Sequence, residues 1–165
     1  MILPDTKHVA FVSVGANLGE ASQTVTAAIA RLSALPGITL KAQSSLYRTA
    51  PFEASGPDFI NAAVRIETTL RPAALLKTLL DLEMAFGRER PFRHAPRTLD
   101  LDLLIYDKLQ LTTPFLTLPH PRMHQRAFVL APLAEISPTL VLEPYGRVDA
   151  LLNRLADQPI ERLSP

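Results

Sequence analysis

Two aspartates lie two residues apart in an otherwise apolar segment. Asp100 and Asp102 alternate with Leu99, Leu101 and Leu103, and successive side chains of a β-strand point to opposite faces of its sheet. A strand here would place both carboxylates on one face, roughly 7 Å apart. Mg²⁺ takes one or two protein carboxylates and completes its shell with water and phosphate oxygens, so the pair could hold one or two such ions. The alternative is an amphipathic strand whose polar face lies in water.

Cationic side chains surround these aspartates. Residues 88–126 contain six of the chain's 13 Arg and three of its four His. Arg suits planar, bidentate contacts with phosphate, and Pro91 and Pro96 restrict the loop that precedes the aspartates. The cluster indicates a polyphosphate site with its own metal ions. The alternative is that these Arg and His side chains only keep the surface soluble.

Other kinds of site have little support in the sequence. It contains no Cys, which excludes disulfides and thiolate chemistry. It has no Gly-x-x-x-x-Gly-Lys-Ser/Thr or Gly-x-Gly-x-x-Gly run, and the GANLG segment at 15–19 reads as a tight turn. No Gly-x-Ser-x-Gly or His-Glu-x-x-His motif is present. Phosphate binding therefore has to use side chains and Mg²⁺.

The composition is that of one globular domain. The chain has 165 residues, 47% of them apolar, and a formal net charge of +1. This balance argues against a nucleic-acid coat or a membrane-surface protein. No apolar run reaches the roughly 18 residues of a membrane span, and the first residues lack a signal-peptide layout. We therefore expect a cytoplasmic location, with no nucleic-acid or membrane partner.

Hydrophobic periodicity predicts the elements that must position these residues. Strands are expected over 8–14, 38–47, 59–69 and 98–106, with a short strand over 112–118. Helices are expected over 20–35, 72–87, 122–136 with an interruption near Pro132, and 149–156. Loops are expected over 48–58 and 88–97. The order matches ferredoxin-like α+β folds, in which a mainly antiparallel sheet is sandwiched by helices.

Five segments carry a pattern that is highly specific when they are taken together. They are GANLG at 15–19, SLYRTAP at 45–51, DFINAA at 58–63, RHAPRTLDLDLL at 93–104 and LPHPRMHQRAFVL at 118–130. In this order they resemble the 6-hydroxymethyl-7,8-dihydropterin pyrophosphokinase family over nearly the whole chain. The family transfers a pyrophosphoryl group from ATP to the hydroxymethyl oxygen of the dihydropterin and releases AMP. The resemblance departs at His94, where many members have Trp, and at Phe59, where many have Tyr.

The resemblance implies roles for the polar residues. Asp100 and Asp102 would hold two Mg²⁺ ions that bridge the phosphates of ATP, the co-substrate. Arg88 and Arg97 would join them as catalytic residues. The residues matched to nucleotide contacts are Glu83, Arg88, Arg90, Arg97, Leu103, Thr117, His120 and Arg126. An aspartate could help to deprotonate the hydroxyl through its metal or act directly as a base, and the sequence does not choose between them.

The resemblance also implies a pterin pocket. Asn61 would hydrogen-bond the amide edge of the pterin, and Phe59 and Phe128 would stack on its two faces. Thr49, Ala50 and Phe52 would complete the pocket, with Asp100 reaching the substrate. Without the resemblance, core packing is the more usual role of a Phe, and a structural hydrogen bond is as good an interpretation of Asn61.

Two other functions are compatible with the residues. One is a Mg²⁺-dependent nucleotidyltransferase or phosphatase built on the same aspartates. The other is a non-catalytic ferredoxin-like module that binds RNA, which would need exposed aromatics on a basic sheet. The chain has no Trp and only 6% aromatic residues, which disfavours the RNA module. We expect a single pyrophosphokinase domain over 1–165 that acts as a monomer.

Overall fold

A computed structural model describes residues 6–50, 57–87 and 99–163. It confirms the α+β prediction: one antiparallel sheet lies between two layers of helices. The sheet strands are β1 (His8–Ala16), β2 (Ile38–Gln43), β3 (Tyr47–Thr49), β4 (Phe59–Thr68), β5 (Asp100–Tyr106) and β10 (Glu161–Arg162). Two hairpins, β6 (Leu111–Thr112) with β7 (Thr117–Leu118) and β8 (Val141–Leu142) with β9 (Gly146–Arg147), lie outside it. The helices are α1 (Ala21–Ser33), α2 (Pro72–Gly87), α3 (Ala127–Ile136) and α4 (Val148–Asn153).

The order of strands places the candidate catalytic strand at an edge. The sheet runs β10, β3, β4, β1, β5, and β2 also pairs with β4. All these pairings are antiparallel. Strand β4 is long enough to pair with β3 near its start and with β2 near its end. Within the described residues, β5 has a sheet neighbour only on its β1 side, which leaves its other side available for a site.

Each face of the sheet packs against its own pair of helices. One core contains the buried positions of α1 and α2, together with Leu101 and Leu103 of β5. The other core contains buried residues of α3 and α4 with Phe11, Ala63 and Leu104. Most apolar residues at helical spacing are buried: Val25, Ala28, Ile29 and Leu32 of α1, and Leu75, Leu79 and Leu82 of α2. Leu35, Leu76 and Phe86 follow the same spacing but are only half-buried. Among the described residues, no helix is long and apolar enough to span a membrane.

The structure differs from the sequence prediction mainly at polar breaks. The strand expected over 38–47 is two strands, because Ser44 interrupts the pairing: its hydroxyl accepts a hydrogen bond from the Ala63 N–H at 2.9 Å. The loop expected from residue 48 begins only after Thr49, the end of β3. The strand expected over 112–118 is the β6–β7 hairpin. The helix expected over 122–136 starts with a 3-10 turn (Met123–Gln125), and Pro132 lies buried inside α3 without ending it.

Side chains and a neighbouring segment cover the outer side of β5. The Glu83 carboxylate of α2 accepts a hydrogen bond from the Leu101 N–H at 2.6 Å. Farther along, the His120 N–H donates to the Leu104 carbonyl at 2.8 Å. Unpaired strand edges tend to recruit other strands, and these two contacts cap the edge at both ends. The stretch of β5 between them, with Asp102 and Leu103, is left facing a cleft.

Candidate active site

The two aspartates lie on one face of β5, as the alternation predicts. Asp100 is exposed and pairs with Gly15 of β1, while Asp102 is half-buried and pairs with Ser13. The intervening Leu101 is buried in the core beneath the opposite face. No cluster of three or more His, Cys, Asp or Glu side chains suited to a metal occurs in the described ranges. Two carboxylates at an open strand edge fit Mg²⁺, which leaves most of its shell to water and phosphate oxygens.

A cleft opens along the outer side of β5. Its volume is about 310 Å³, at the small end of the range for ligand sites. Five predicted site residues line it together: Glu83 from α2, Asp102 and Leu103 from β5, Thr117 from β7 and His120. Apart from Asp102, which the resemblance assigns to Mg²⁺, these residues were matched to nucleotide contacts. The structure thus brings together residues that lie up to 37 positions apart in the sequence.

The main chain of β5 contributes to the wall of this cleft. The Leu101 N–H points away from β1, toward Glu83. Because N–H groups two residues apart on a regular strand project to the same side, and the pairing of β5 with β1 is regular up to Leu103, the Leu103 N–H also points toward the cleft. The resemblance places Glu83 near the nucleotide, and its carboxylate also accepts the hydrogen bond from the Leu101 N–H. It fixes the strand that carries the aspartates.

The pKa of His120 is lowered, and one of its ring nitrogens accepts a hydrogen bond from the main chain. Burial lowers the pKa of the His120 imidazole, and the charges of Arg126 and Arg122 add to this effect against the opposing charge of Asp102. The Arg122 N–H donates to Nδ1 of His120 at 3.2 Å. Nδ1 is therefore the acceptor, and the neutral ring carries its proton on Nε2. His120 can therefore donate a hydrogen bond from Nε2 to an anion at the cleft.

The buried side chain of Asn61 marks a second half of the site, on the face of the sheet. Asn61 of β4 pairs with Gly15 of β1, which pairs in turn with Asp100 of β5. The Asn61 side chain is 4% exposed, and its Nδ2 has no hydrogen-bond partner among the described residues. A Cβ added at Gly15 would lie 2.6 Å from Oδ1 of Asn61. The missing side chain of Gly15 therefore makes room for the carboxamide.

Aromatic and main-chain groups surround this half of the site. Phe59 and Phe128 are both half-buried, and the Arg126 guanidinium carbon lies 5.5 Å from the centre of the Phe128 ring. Thr49 pairs with Phe59 across β3 and β4, and Ala50 follows at an exposed position. These aromatic groups are incompletely covered by protein, as a binding site for a flat ligand requires. Phe52, Arg88, Arg90, His94 and Arg97 lie outside the described residues.

A polar cluster that the sequence analysis missed joins α3 to β3. The Glu135 carboxylate accepts hydrogen bonds from the Tyr47 hydroxyl at 2.7 Å and from the Ser45 N–H and hydroxyl at 3.0 and 3.1 Å. Arg162 of β10 lies 3.5 Å from it. Burial opposes ionisation, yet these bonds hold the pKa of Glu135 below its ordinary value. Burial and the Glu135 bond raise the pKa of Tyr47. The members are far apart in sequence, so no local motif reveals them.

Comparison with known sequences gives one consistent family. The family model of 7,8-dihydro-6-hydroxymethylpterin-pyrophosphokinase matches residues 11–138. The chain is 46% identical over 144 residues to the 2-amino-4-hydroxy-6-hydroxymethyldihydropteridine pyrophosphokinase of a Synechocystis strain, covering 87% of this chain and 74% of that protein. It is 44% identical over 155 residues to the pyrophosphokinase of the same name from Methylorubrum extorquens, covering 93% and 98%.

Solved structures show the same fold. A Plasmodium falciparum HPPK-DHPS triple mutant with SDX-DHP superposes with a TM-score of 0.76 at 12% identity, over 94% of this chain. An HPPK-DHPS in complex with substrates gives a TM-score of 0.76 at 13% identity, over 92%. The match spans 43% and 44% of those longer chains. At this level of identity the likeness concerns the fold alone.

Proposed function

The chain belongs to the 7,8-dihydro-6-hydroxymethylpterin-pyrophosphokinase family, and we propose that the open edge of β5 is where it performs the family's reaction. The chain transfers a pyrophosphoryl group from ATP to the hydroxymethyl group of 6-hydroxymethyl-7,8-dihydropterin in folate biosynthesis. The hydroxymethyl oxygen forms a bond to the β-phosphorus and loses its proton, and the bond from that phosphorus to the oxygen shared with the α-phosphate breaks. AMP leaves with that oxygen.

One observation supports placing the reaction at β5: Asp102 belongs both to the cleft and to the sheet face that carries Asn61. It lines the cleft with Leu103, Thr117 and His120. It also lies on the same sheet face as the row formed by Asn61, Gly15 and Asp100. A nucleotide in the cleft and a pterin over that row would therefore meet at the aspartates. Bringing two reactants together in this way supplies much of the rate in phosphoryl transfer.

The pterin half matches a flat ligand with a hydrogen-bonding edge. Asn61 offers a buried amide whose Nδ2 lacks a protein partner in the described part of the chain, and burying an unmatched donor costs about 1–3 kcal/mol. A pterin carbonyl would satisfy it. Phe59 and Phe128 supply half-buried rings for stacking. Phe52, with the main chain near Thr49 and Ala50, would close the pocket.

The phosphate half matches a metal–triphosphate. Asp100 and Asp102 would hold Mg²⁺, two ions on the family pattern, with ATP oxygens completing the shell. When bound, these ions offset the negative charge that the phosphates develop. His120 can donate a hydrogen bond from Nε2, and Arg126 supplies positive charge. Arg88, Arg90 and Arg97 would complete the cationic set, with Arg97 acting most strongly in the transition state.

We further propose that residues 1–165 act as one pyrophosphokinase domain, as a monomer in the cytoplasm. The two hydrophobic cores lie on opposite faces of the same sheet, which supports a single folded unit. Light scattering over a range of protein concentrations tests the monomer, since a dimer would double the measured mass.

Product analysis tests the proposed reaction. The chain is incubated with MgATP and 6-hydroxymethyl-7,8-dihydropterin, and the nucleotide products are separated. We expect AMP and the pterin diphosphate in equal amounts, and no AMP with a dihydropterin that carries methyl in place of hydroxymethyl. Release of pyrophosphate would instead indicate nucleotidyl transfer, and release of orthophosphate would indicate a phosphatase. Either result would contradict the proposal.

A further inference from the structure

The side chain of Phe115 is unusually exposed. Its exposed fraction is 87%, the highest among the large apolar side chains of the described residues. It lies at the tip of the β6–β7 hairpin, where the Thr113 hydroxyl accepts hydrogen bonds from the N–H groups of Phe115 and Leu116 at 3.3 and 2.9 Å. The Thr113 N–H donates to the Leu116 carbonyl at 2.9 Å. This hydrogen-bonded turn presents the ring to solvent.

Phe115 borders the cleft that contains Asp102. Leu76 and Leu80 of α2 and Leu116 of the hairpin also line this cleft, and Leu80 is itself 46% exposed. Its polar lining includes Asp102 of β5 and His120, which lies just beyond β7. The lining therefore combines an apolar, partly aromatic portion with an anion- and metal-binding portion. That combination suits a ligand with a flat ring joined to a polyphosphate.

We propose that Phe115 is a base-stacking residue that contributes affinity for the nucleotide. The inference rests on the proposed function, since it takes the triphosphate to lie at the aspartates. The adenine then lies against the Phe115 ring and the apolar side chains of α2. Stacking uses the π-face that every base presents, so Phe115 adds affinity without a hydrogen bond to the base.

Two polar side chains of the cleft are already hydrogen-bonded within the protein. The Thr113 hydroxyl is occupied within the hairpin turn. Glu83 is bonded to Leu101. The Leu103 N–H and the Thr117 side chain also belong to the cleft, and these groups can hydrogen-bond a purine edge. Phe115 thereby contributes to nucleotide affinity, while pyrophosphoryl transfer takes place at the part of the cleft that contains Asp102.

Equilibrium binding in the absence of pterin tests the proposal. Calorimetry compares MgATP with magnesium tripolyphosphate, which lacks the base and ribose. We expect Phe115→Ala to weaken MgATP about tenfold and to leave tripolyphosphate within about twofold, while Phe115→Trp stays near the wild type. The control is Tyr145→Ala, which removes a 46% exposed aromatic that does not line the cleft and should bind both probes normally.

Two results would overturn the assignment. One is unchanged MgATP affinity, or an equal loss for both probes, in Phe115→Ala. The other is a drop in oligomeric mass for Phe115→Ala by light scattering, which would show that a second copy of the chain covers the ring. These measurements do not require catalysis, so they test the stacking role of Phe115 independently of the proposed reaction. AMP formation by the wild-type chain decides the proposed function separately.

Discussion

Replacing Gly15 with alanine tests whether the Asn61 carboxamide hydrogen-bonds the pterin. The added Cβ would lie 2.6 Å from Oδ1 of Asn61 but 3.7 Å from its Cγ and from the Ile60 carbonyl oxygen. The backbone can therefore accept the methyl group, and the carboxamide must rotate away. Asn61 would then lose its alignment with the ligand while the strand pairing persists.

The structure gives the magnitude of both effects. One lost hydrogen bond is worth about 1–1.5 kcal/mol, or roughly tenfold in affinity. A Gly inside a strand is about 0.5–1 kcal/mol less stable than Ala, which offsets the displacement of the amide. We expect Gly15→Ala to raise the Kd for 6-hydroxymethyl-7,8-dihydropterin about tenfold. The KM for ATP should stay within about twofold and the Tm within about 4 °C.

A double-mutant cycle identifies the cause. Asn61→Ala alone should weaken pterin binding by a similar factor, and Gly15→Ala should add almost nothing in that background, because the displaced group is gone. Gly19→Ala is the matched control: Gly19 has a φ of 58° and no atom near its missing Cβ. It should lower stability by about 1 kcal/mol without changing pterin affinity. Wild-type pterin binding by Gly15→Ala, or an equal further loss when Asn61 is already Ala, would refute the reasoning.

Two further predictions concern Glu135 and Arg97. Glu135→Gln should lower the unfolding free energy by about 1–2 kcal/mol near neutral pH, because the amide cannot accept all the hydrogen bonds from Tyr47 and Ser45. Since the folded pKa of Glu135 is depressed, its contribution is present above about pH 4.3 and is lost as the pH falls through the folded pKa. Urea denaturation at pH 7 and pH 3 should show the gap between wild type and variant closing, and a gap that grows in acid would contradict this. Arg97→Ala should lower kcat about a hundredfold with little change in pterin Kd, and a loss confined to pterin binding would contradict that role.

Local patterns predict what depends on neighbours in the sequence. The alternation of Asp100 and Asp102 with leucines correctly predicts that the aspartates share a face and that the leucines face the core. The helical spacing of apolar residues likewise predicts α1 and α2. The break after β2 was not predictable in this way. It depends on the Ser44 hydroxyl, which accepts the hydrogen bond from the N–H of Ala63, a residue 19 positions away.

The finer design of the site depends on contacts between distant segments. Gly15 looked like part of an ordinary turn, and only its pairing with Asn61 shows why a side chain is excluded there. The significance of Phe115 depends on a hairpin that meets the cleft beside β5. Family resemblance supplied the candidate residues, and packing now shows which of them share a surface. Their catalytic roles stay predictions.

Single-turnover formation of AMP by Asp102→Asn tests the central claim most directly, that the open edge of β5 is the catalytic metal site. With saturating MgATP and 6-hydroxymethyl-7,8-dihydropterin, we expect the rate to fall about a thousandfold, with pterin binding and Tm near the wild type. Asp107→Asn is the control, because Asp107 follows the same strand but binds His8 and the Val9 N–H at its far end. It should turn over normally. A wild-type rate for Asp102→Asn would contradict the account.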